Sequence, residues 1–334
     1  MWNLFGQVQV RCGYPGIKRE ERNTLELLTL TIDGREVSVP KGTTVLEACR
    51  MNNIPVPTLC HAPELTPSGS CRLCVVQIEG MRNLPPSCVT QVTQGMKVET
   101  QNAKVRSARK TILELLVANH PLDCMTCQKL GDCSLADYAY EYGVTGKKYQ
   151  GEKRNYPIDN DNPYILRDLN KCILCGKCVA TCAEVPERNV IGFAFRGFKT
   201  KISTFLDTEL KDSDCVYCNR CVAICPVGAL VDKNMIGKGR AWELTKEEVT
   251  CTFCEAGCKF DINYKKGKVV GVTAKSAASG RPLCLKGRMG SDFKHNSERM
   301  EKPFVNENGK FVQVTWSEFL GLGNIVEKIN RLEG

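Results

Sequence analysis

Two runs of four cysteines, Cys172-x₂-Cys175-x₂-Cys178-x₃-Cys182 and Cys215-x₂-Cys218-x₂-Cys221-x₃-Cys225-Pro226, constrain this chain more than any other feature. Their spacing is the bacterial pattern for a pair of [4Fe–4S] clusters. Three thiolates spaced in this way wrap three corners of one cubane, while the fourth sits on a following helical turn and reaches the other cluster. The expected ligand sets are Cys172, Cys175, Cys178 and Cys225 for one cluster, and Cys215, Cys218, Cys221 and Cys182 for its neighbour. Two adjacent one-electron centres require no substrate group and form a wire. Structural zinc is the competing reading, but zinc sites draw four ligands, usually from two separated pairs, and a third cysteine two residues further on fits that poorly.

With 21 cysteines in 334 residues, the choice lies between disulfides and metal. The N-terminus lacks a basic stretch followed by an apolar core, and no apolar run approaches the ~18 residues of a membrane span. The expectation is a reducing, cytoplasmic setting with no membrane span, where cysteine clusters read as metal ligands. A formal charge of +9 would ordinarily point to nucleic acid or anionic surfaces. An oxidised cluster on four thiolates carries about two net negative charges, so the five clusters argued here would add about −9. The basic residues then read as charge compensation, and nucleic acid is not an expected partner.

Residues 1–24 form an extension with one stray cysteine, Cys12, to which no chemistry attaches. In 25–103, Leu25–Ile32 and Glu36–Val39 read as strands around an Asp33-Gly34 turn. Thr44 and Glu47 make a capping box, opening a helix that faces Val45, Leu46 and Cys49 toward a core. Then come Cys60-x₁₀-Cys71-x₂-Cys74, a strand over Val75–Glu79, a turn at Gly80, and Cys88. This order suggests a small β-grasp ferredoxin module with a [2Fe–2S] cluster on Cys60, Cys71, Cys74 and Cys88. Gly69 and Ser70 are expected to let backbone N–H groups approach the sulfurs. His61 is expected to face solvent, since four thiols suffice.

In 104–143, Val105, Ala108, Ile112, Leu115 and Leu116 repeat at helical spacing until Pro121 ends the run. His120 stands at that end, followed by Cys124-x₂-Cys127-x₅-Cys133. Three cysteines cannot close a cubane, which makes His120 the candidate fourth ligand. A His-Cys₃ set alone would favour zinc; its place between two iron–sulfur modules favours a third [4Fe–4S] cluster. The stretch 144–171 reads as a linker or wrapping loop inside a module spanning 144–240, with short strands expected at Val190–Ala194 and Ser203–Thr204. From 241 onward, Cys251-x₂-Cys254-x₃-Cys258 and, 25 residues later, Cys284 leave zinc and [4Fe–4S] both open on spacing alone. Between them Phe260–Tyr264 and Val269–Ala274 form an expected hairpin. Lys302–Val314 offers a last strand or two, and Ser317–Ile329 a helix with Phe319, Leu322, Val326 and Ile329 inward.

The segments Pro57-Thr58-Leu59-Cys60, Cys71-Arg72-Leu73-Cys74, Pro86-Ser87-Cys88 and Ala118-Asn119-His120-Pro121-Leu122-Asp123-Cys124 resemble a region shared by three groups. These are the large iron–sulfur subunit of respiratory complex I, the catalytic subunit of multimeric [FeFe]-hydrogenases, and the alpha subunit of NAD-dependent formate dehydrogenases. Cys172-Ile173-Leu174-Cys175-Gly176-Lys177-Cys178 continues the resemblance, and in this group Cys182 is likewise not followed by proline. The last cysteine set is similar to the N-terminal [4Fe–4S] domain of molybdopterin oxidoreductases. Cys284-Leu285-Lys286-Gly287-Arg288 looks like the formate dehydrogenase version, in which the lysine lies between cluster and pterin; the resemblance thus makes Lys286 a candidate cofactor contact. The resemblance covers about 25–300. The catalytic half of these relatives is expected to be absent, which leaves Lys286 with no evident pterin and makes charge compensation an equal reading.

The expected fold class is therefore α+β, a modular multi-cluster iron–sulfur protein with one [2Fe–2S] and four [4Fe–4S] clusters, and no substrate-converting site of its own. No Gly-rich phosphate fingerprint follows a strand, so NAD and flavin are expected on another subunit. The resemblance implies an FMN- and NAD(H)-binding flavoprotein partner, a small thioredoxin-like [2Fe–2S] subunit, and a further redox partner. That last partner could be ferredoxin, an NADP-linked flavoprotein in a bifurcating transhydrogenase, or a formate dehydrogenase chain. The rival readings are a free-standing polyferredoxin carrier and a zinc-stabilised scaffold without redox activity.

Overall fold

The computed structural model of the chain describes residues 26–146, 148–275, 283–294 and 302–322. It divides into two compact units, one comprising the chain up to Thr58 with Cys71–Ile112, the other Leu59–Ser70 with the chain from Leu113 onward. The extension with Cys12 lies outside the described residues.

In the first unit, β1 (Leu27–Ile32) and β2 (Arg35–Pro40) form an antiparallel hairpin through Asp33 and Gly34. Helix α1 (Val45–Met51) opens on the expected capping box: the Thr44 hydroxyl accepts the Glu47 N–H at 3.2 Å, and the Glu47 carboxylate accepts the Thr44 N–H at 2.8 Å. Two orphan donors of the first turn are thus satisfied reciprocally. Strands β3 (Gln77–Ile78) and β4 (Lys97–Glu99) complete a sheet of order β2-β1-β4-β3, with β1 and β4 parallel. The core beneath it joins Leu30, Ile32 and Val39 to Val45, Ala48 and Cys49. Cys49 has no exposure, and burial pushes its thiol up to about 12, which keeps it protonated and inert.

Helix α2 (Ala103–Asn119) lies where the periodicity predicts, but its buried face differs. The buried positions are Val105, Arg109, Leu113, Glu114 and Val117, whereas Leu115, predicted inward, is 55% exposed. Arg109 is the cause. Its guanidinium is fully buried and donates to the Val75 carbonyl at 2.9 Å, and an apolar pattern counts arginine as a surface residue. The helix passes from the first unit to the second between Ile112 and Leu113.

The second unit continues with α3 (Ser134–Glu141), β5 (Ile165–Arg167), α4 (Lys177–Glu184), β6 (Ile191–Ala194), β7 (Lys201–Thr204), α5 (Arg220–Ile224) and β8 (Leu230–Asp232). The stretch read as a linker thus contains a strand. β5 pairs antiparallel with β8, and the Asn162 side chain closes its entry by accepting the Ile165 N–H and donating to the Ile165 carbonyl, both at 2.7 Å. β6 and β7 form a hairpin between the two cysteine runs. Next come β9 (Thr245–Thr250), β10 (Lys259–Lys265) and β11 (Lys268–Ala274), a meander in which β9 is an addition to the expected hairpin.

Helix α6 (Leu285–Lys294) follows, then the hairpin β12 (Phe304–Glu307) and β13 (Lys310–Gln313), and α7 (Trp316–Phe319). The closing helix is shorter than predicted. It stops before Gly321, whose φ of 65° suits a helix terminus, and Phe319 is 51% exposed where an inward position was expected. Val326 and Ile329 lie outside the described residues. No helix among the described residues is long and apolar enough to cross a membrane.

Candidate metal centres

The two four-cysteine runs share one backbone design. In each, the second residue after the first cysteine, Leu174 or Tyr217, has positive φ and donates its N–H to the sulfur of that cysteine at 3.4 Å. In each, the residue after the second cysteine, Gly176 or Asn219, is left-handed and starts a helix, α4 or α5. N–H groups aimed at a sulfur stabilise its negative charge and tune a cluster held there.

Cys172, Cys175, Cys178, Cys182, Cys215, Cys221 and Cys225 line one cavity, walled by aliphatic side chains that include Ile165, Ile191, Ile202 and Leu230. Burial pushes Cys172 up to about 11 and Cys175 to about 12, and the charge of Cys225 from the other run raises both further. Cys178 and Cys221, packed among the other thiols, are raised well above the ordinary thiol range by desolvation. Cys182 in turn stands among Cys215, Cys218 and Cys221. Thiols buried together in this way repel one another as thiolates unless a cationic core lies between them, so the donor set fits an iron–sulfur core. Among the described residues, no group of three or more metal-ligating side chains converges tightly enough to hold a single ion.

His120 follows the last residue of α2 and is 9% exposed. Its Nδ1 lies 2.7 Å from the Pro121 carbonyl, which can only accept, so Nδ1 carries the proton. Nε2 is left deprotonated and buried, with no hydrogen-bond partner, and burial lowers the basicity of the ring. A neutral imidazole oriented through one nitrogen and bare at the other fits a metal ligand. Cys124, Cys127 and Cys133 are electrostatic neighbours of one another. Lys171 stands by Cys127 and pairs with Asp123 at 2.9 Å and Asp168 at 3.3 Å. A Cβ on Gly228 would meet the Cys127 sulfur at 2.5 Å, so only glycine lets that thiol lie against the Pro226–Gly228 backbone. Arg240 holds the same loop, donating to the Met125 carbonyl at 3.0 Å and to that of Cys127.

In the last set Cys251 and Cys258 are buried and Cys254 and Cys284 exposed, and Cys258 feels the other three. The Cys251 N–H donates to the Cys258 carbonyl at 2.7 Å, closing the loop that carries Cys254. A Cβ on Gly287 would stand 3.5 Å from the Cys251 sulfur and 2.4 Å from Leu283. Lys286 is exposed on α6.

In the first unit Cys74 and Cys88 are buried against Leu46 and Val56, and Cys71 is half-buried. Ser87 ties their loops, its N–H and hydroxyl both donating to the Cys74 carbonyl, at 3.1 and 2.8 Å. Cys60, also buried, lies on the loop Leu59–Ser70 that belongs to the second unit. There His61 is only 7% exposed, which corrects the solvent-facing expectation. The next residues explain it: Ala62 and Leu65 pack on Ile224 of α5 and draw the loop inward. The Ser70 hydroxyl donates to the Cys175 carbonyl at 3.1 Å.

Arg220 and Arg288 were not singled out in the sequence. Arg220, 1% exposed, places its charge by both Cys218 and Cys258, and donates to the Lys275 carbonyl at 3.3 Å. Their sequence signals are position, immediately before Cys221 and four residues after Cys284, and for Arg288 its place at the end of the Cys284–Arg288 segment.

Four family models match consecutive parts of the chain. They are the 2Fe-2S iron-sulfur cluster binding domain over 26–103, the NADH-ubiquinone oxidoreductase-G iron-sulfur binding region over 109–148, the 4Fe-4S dicluster domain over 171–229, and the molybdopterin oxidoreductase Fe4S4 domain over 245–296. NADPH-Fe(3+) oxidoreductase subunit alpha of Geobacter sulfurreducens is 36% identical over 88% of this chain and 34% of its own length. NADP-reducing hydrogenase subunit HndD of Solidesulfovibrio fructosivorans is 36% identical over 86% and 50%. NADH-quinone oxidoreductase subunit 3 of Thermus thermophilus is 31% identical over 89% and 42%. The chain thus spans a third to a half of the length of these relatives. Among solved structures, a chain in the crystal structure of NAD+-reducing [NiFe]-hydrogenase in the H2-reduced state is 35% identical with a TM-score of 0.58, over 62% of this chain and 87% of that one.

Proposed function

The chain belongs to the family of iron–sulfur subunits of NAD(P)-linked oxidoreductase complexes, and from that premise we propose that it is an electron relay between a flavin- and NAD(H)-binding subunit and a second redox partner. Bound clusters supply one-electron chemistry. The residues of the chain hold, bury and electrostatically tune them. The observation that carries the reading is that cysteines of both runs line one cavity, Cys172, Cys175 and Cys178 with Cys225, and Cys215 and Cys221 with Cys182. The charge of Cys225 acts on Cys172 and Cys175 and that of Cys182 on Cys215 and Cys218, which supports a crossed arrangement. Crossed ligation brings two one-electron centres together inside one aliphatic cavity, which a scaffold protein has no use for.

The ligand sets are Cys172, Cys175, Cys178 and Cys225; Cys215, Cys218, Cys221 and Cys182; His120, Cys124, Cys127 and Cys133; and Cys251, Cys254, Cys258 and Cys284, each for a [4Fe–4S] cluster. Cys60, Cys71, Cys74 and Cys88 take the [2Fe–2S] cluster, a reading supported by the mixed β2-β1-β4-β3 sheet with α1 on it, as in a β-grasp ferredoxin, and by the 26–103 match. The cysteine chemistry suits a reducing cytoplasm. The partners are an FMN flavoprotein, a small thioredoxin-like [2Fe–2S] subunit, and a further redox subunit or ferredoxin.

Anaerobic purification from the native cell tests this. A co-eluting flavoprotein and NADH-driven bleaching of the iron–sulfur absorbance are expected. A colourless chain that purifies alone would contradict the reading.

A further inference from the structure

The β6–β7 hairpin presents an apolar surface that holding a cluster does not require. Ile191 and Ile202 line the cavity of the cysteine runs. Around them Phe193, Phe195 and Phe198 are 54%, 62% and 46% exposed, and Phe205 and Leu206 are 82% and 80% exposed. Phe195 and Leu206 sit at φ of 61° and 54°. Bulky side chains rarely adopt that conformation, and where it persists it marks a shape that the surroundings impose. From Arg188 to Leu206 the chain carries Arg188, Arg196, Lys199 and Lys201 and no acidic residue. Two cations lie by the rings: Lys201, which also pairs with Asp207 at 2.6 Å, stands 5.5 Å from the centre of Phe195, and Arg154 5.9 Å from that of Phe198, so Arg188, Arg196 and Lys199 supply the rim's positive charge. The patch also reaches a ligand loop. A Cβ on Gly176, between Cys175 and Cys178, would stand 3.2 Å from Phe193 Cζ.

We propose that this hairpin is the docking surface for an acidic one-electron carrier protein, which exchanges electrons with the site of Cys172, Cys175, Cys178 and Cys225; the proposal rests on the relay reading above. Exposed aromatics supply the desolvated centre of an interface, and a cationic rim steers an acidic partner while repelling a basic one. Aromatic contact against the ligand loop brings such a partner close to the site. In each encounter the carrier loses one electron and the site gains one, or the reverse, and no bond is made or broken. Nucleic acid shares the basic and aromatic chemistry but offers no reason for the surface to lean on a cluster loop.

The test uses the native complex, unaltered and with either Arg196→Glu plus Lys199→Glu or Phe195→Ser plus Phe198→Ser. Binding of a small acidic ferredoxin to the immobilised complex is measured at low and high salt, beside NADH-driven bleaching of the iron–sulfur absorbance. The charge reversal should weaken ferredoxin binding by about tenfold or more at low salt and flatten its salt dependence. The Phe pair should weaken it at both salts, and bleaching should match the unaltered complex throughout. Ferredoxin binding unchanged in both variants would overturn the proposal. So would a single-stranded DNA oligonucleotide binding the hairpin more tightly than ferredoxin does, or protection of the hairpin from protease in the native complex, which would mean that a permanent subunit covers it. Failure of bleaching in the unaltered complex would instead remove the relay reading.

Discussion

Nη2 of Arg288 stands 3.1 Å from both carboxylate oxygens of Asp232, 56 residues earlier in the chain, and both side chains are buried. Nη1 of the same arginine donates to the Tyr217 carbonyl at 2.7 Å, between Cys215 and Cys218. Asp232 also accepts from the Asn219 amide at 2.7 Å. One buried pair therefore joins α6, which begins at the last cysteine set, to the loop of the second four-cysteine run.

Arg288→Met would leave the Asp232 carboxylate buried and uncompensated, a change that costs about 3–5 kcal/mol. The expected outcome is a lower unfolding temperature together with loss of about four irons from the set of Cys251, Cys254, Cys258 and Cys284. Denaturation and iron analysis of the same preparation check it. A variant with normal stability and full iron would show that this pair does not seat α6.

His120→Cys replaces a neutral ligand with a thiolate, which adds a negative charge beside the metal. The cluster should be retained, with its reduction potential lowered. Redox titration followed by EPR reads this directly, and unchanged signals and potentials would remove His120 from the ligand set.

Gly228→Ala places a methyl group where the Cys127 sulfur lies, 2.5 Å from the ideal Cβ position. The thiol or the backbone must shift, and the chain should lose about four irons while keeping its far-UV circular dichroism. Full iron content with unaltered EPR signals would contradict the close approach.

The iron–sulfur domains that the four family models match were legible because their cysteines follow local spacings, written in nearby residues. The capping box at Thr44 and the Asp33–Gly34 turn were legible for the same reason. What escaped depends on contacts across long separations. The pairing of Ile165–Arg167 with Leu230–Asp232 has no local signature, and the Ser70 hydroxyl donates to a carbonyl 105 residues away. His61 reads as a surface residue until Ala62 and Leu65 are seen against Ile224. The buried cations Arg109, Arg220 and Arg288 were missed because a hydrophobic pattern places every arginine in water, whereas here backbone carbonyls, a carboxylate and neighbouring thiols receive them.

The most direct test is the metal content of the anaerobically purified native protein, with iron, acid-labile sulfide and zinc measured on one sample. Five clusters, one with two irons and four with four, require about 18 irons per chain, with matching sulfide and only traces of zinc. Zinc in whole-number stoichiometry with little iron would contradict the relay and make the chain a zinc-bound scaffold.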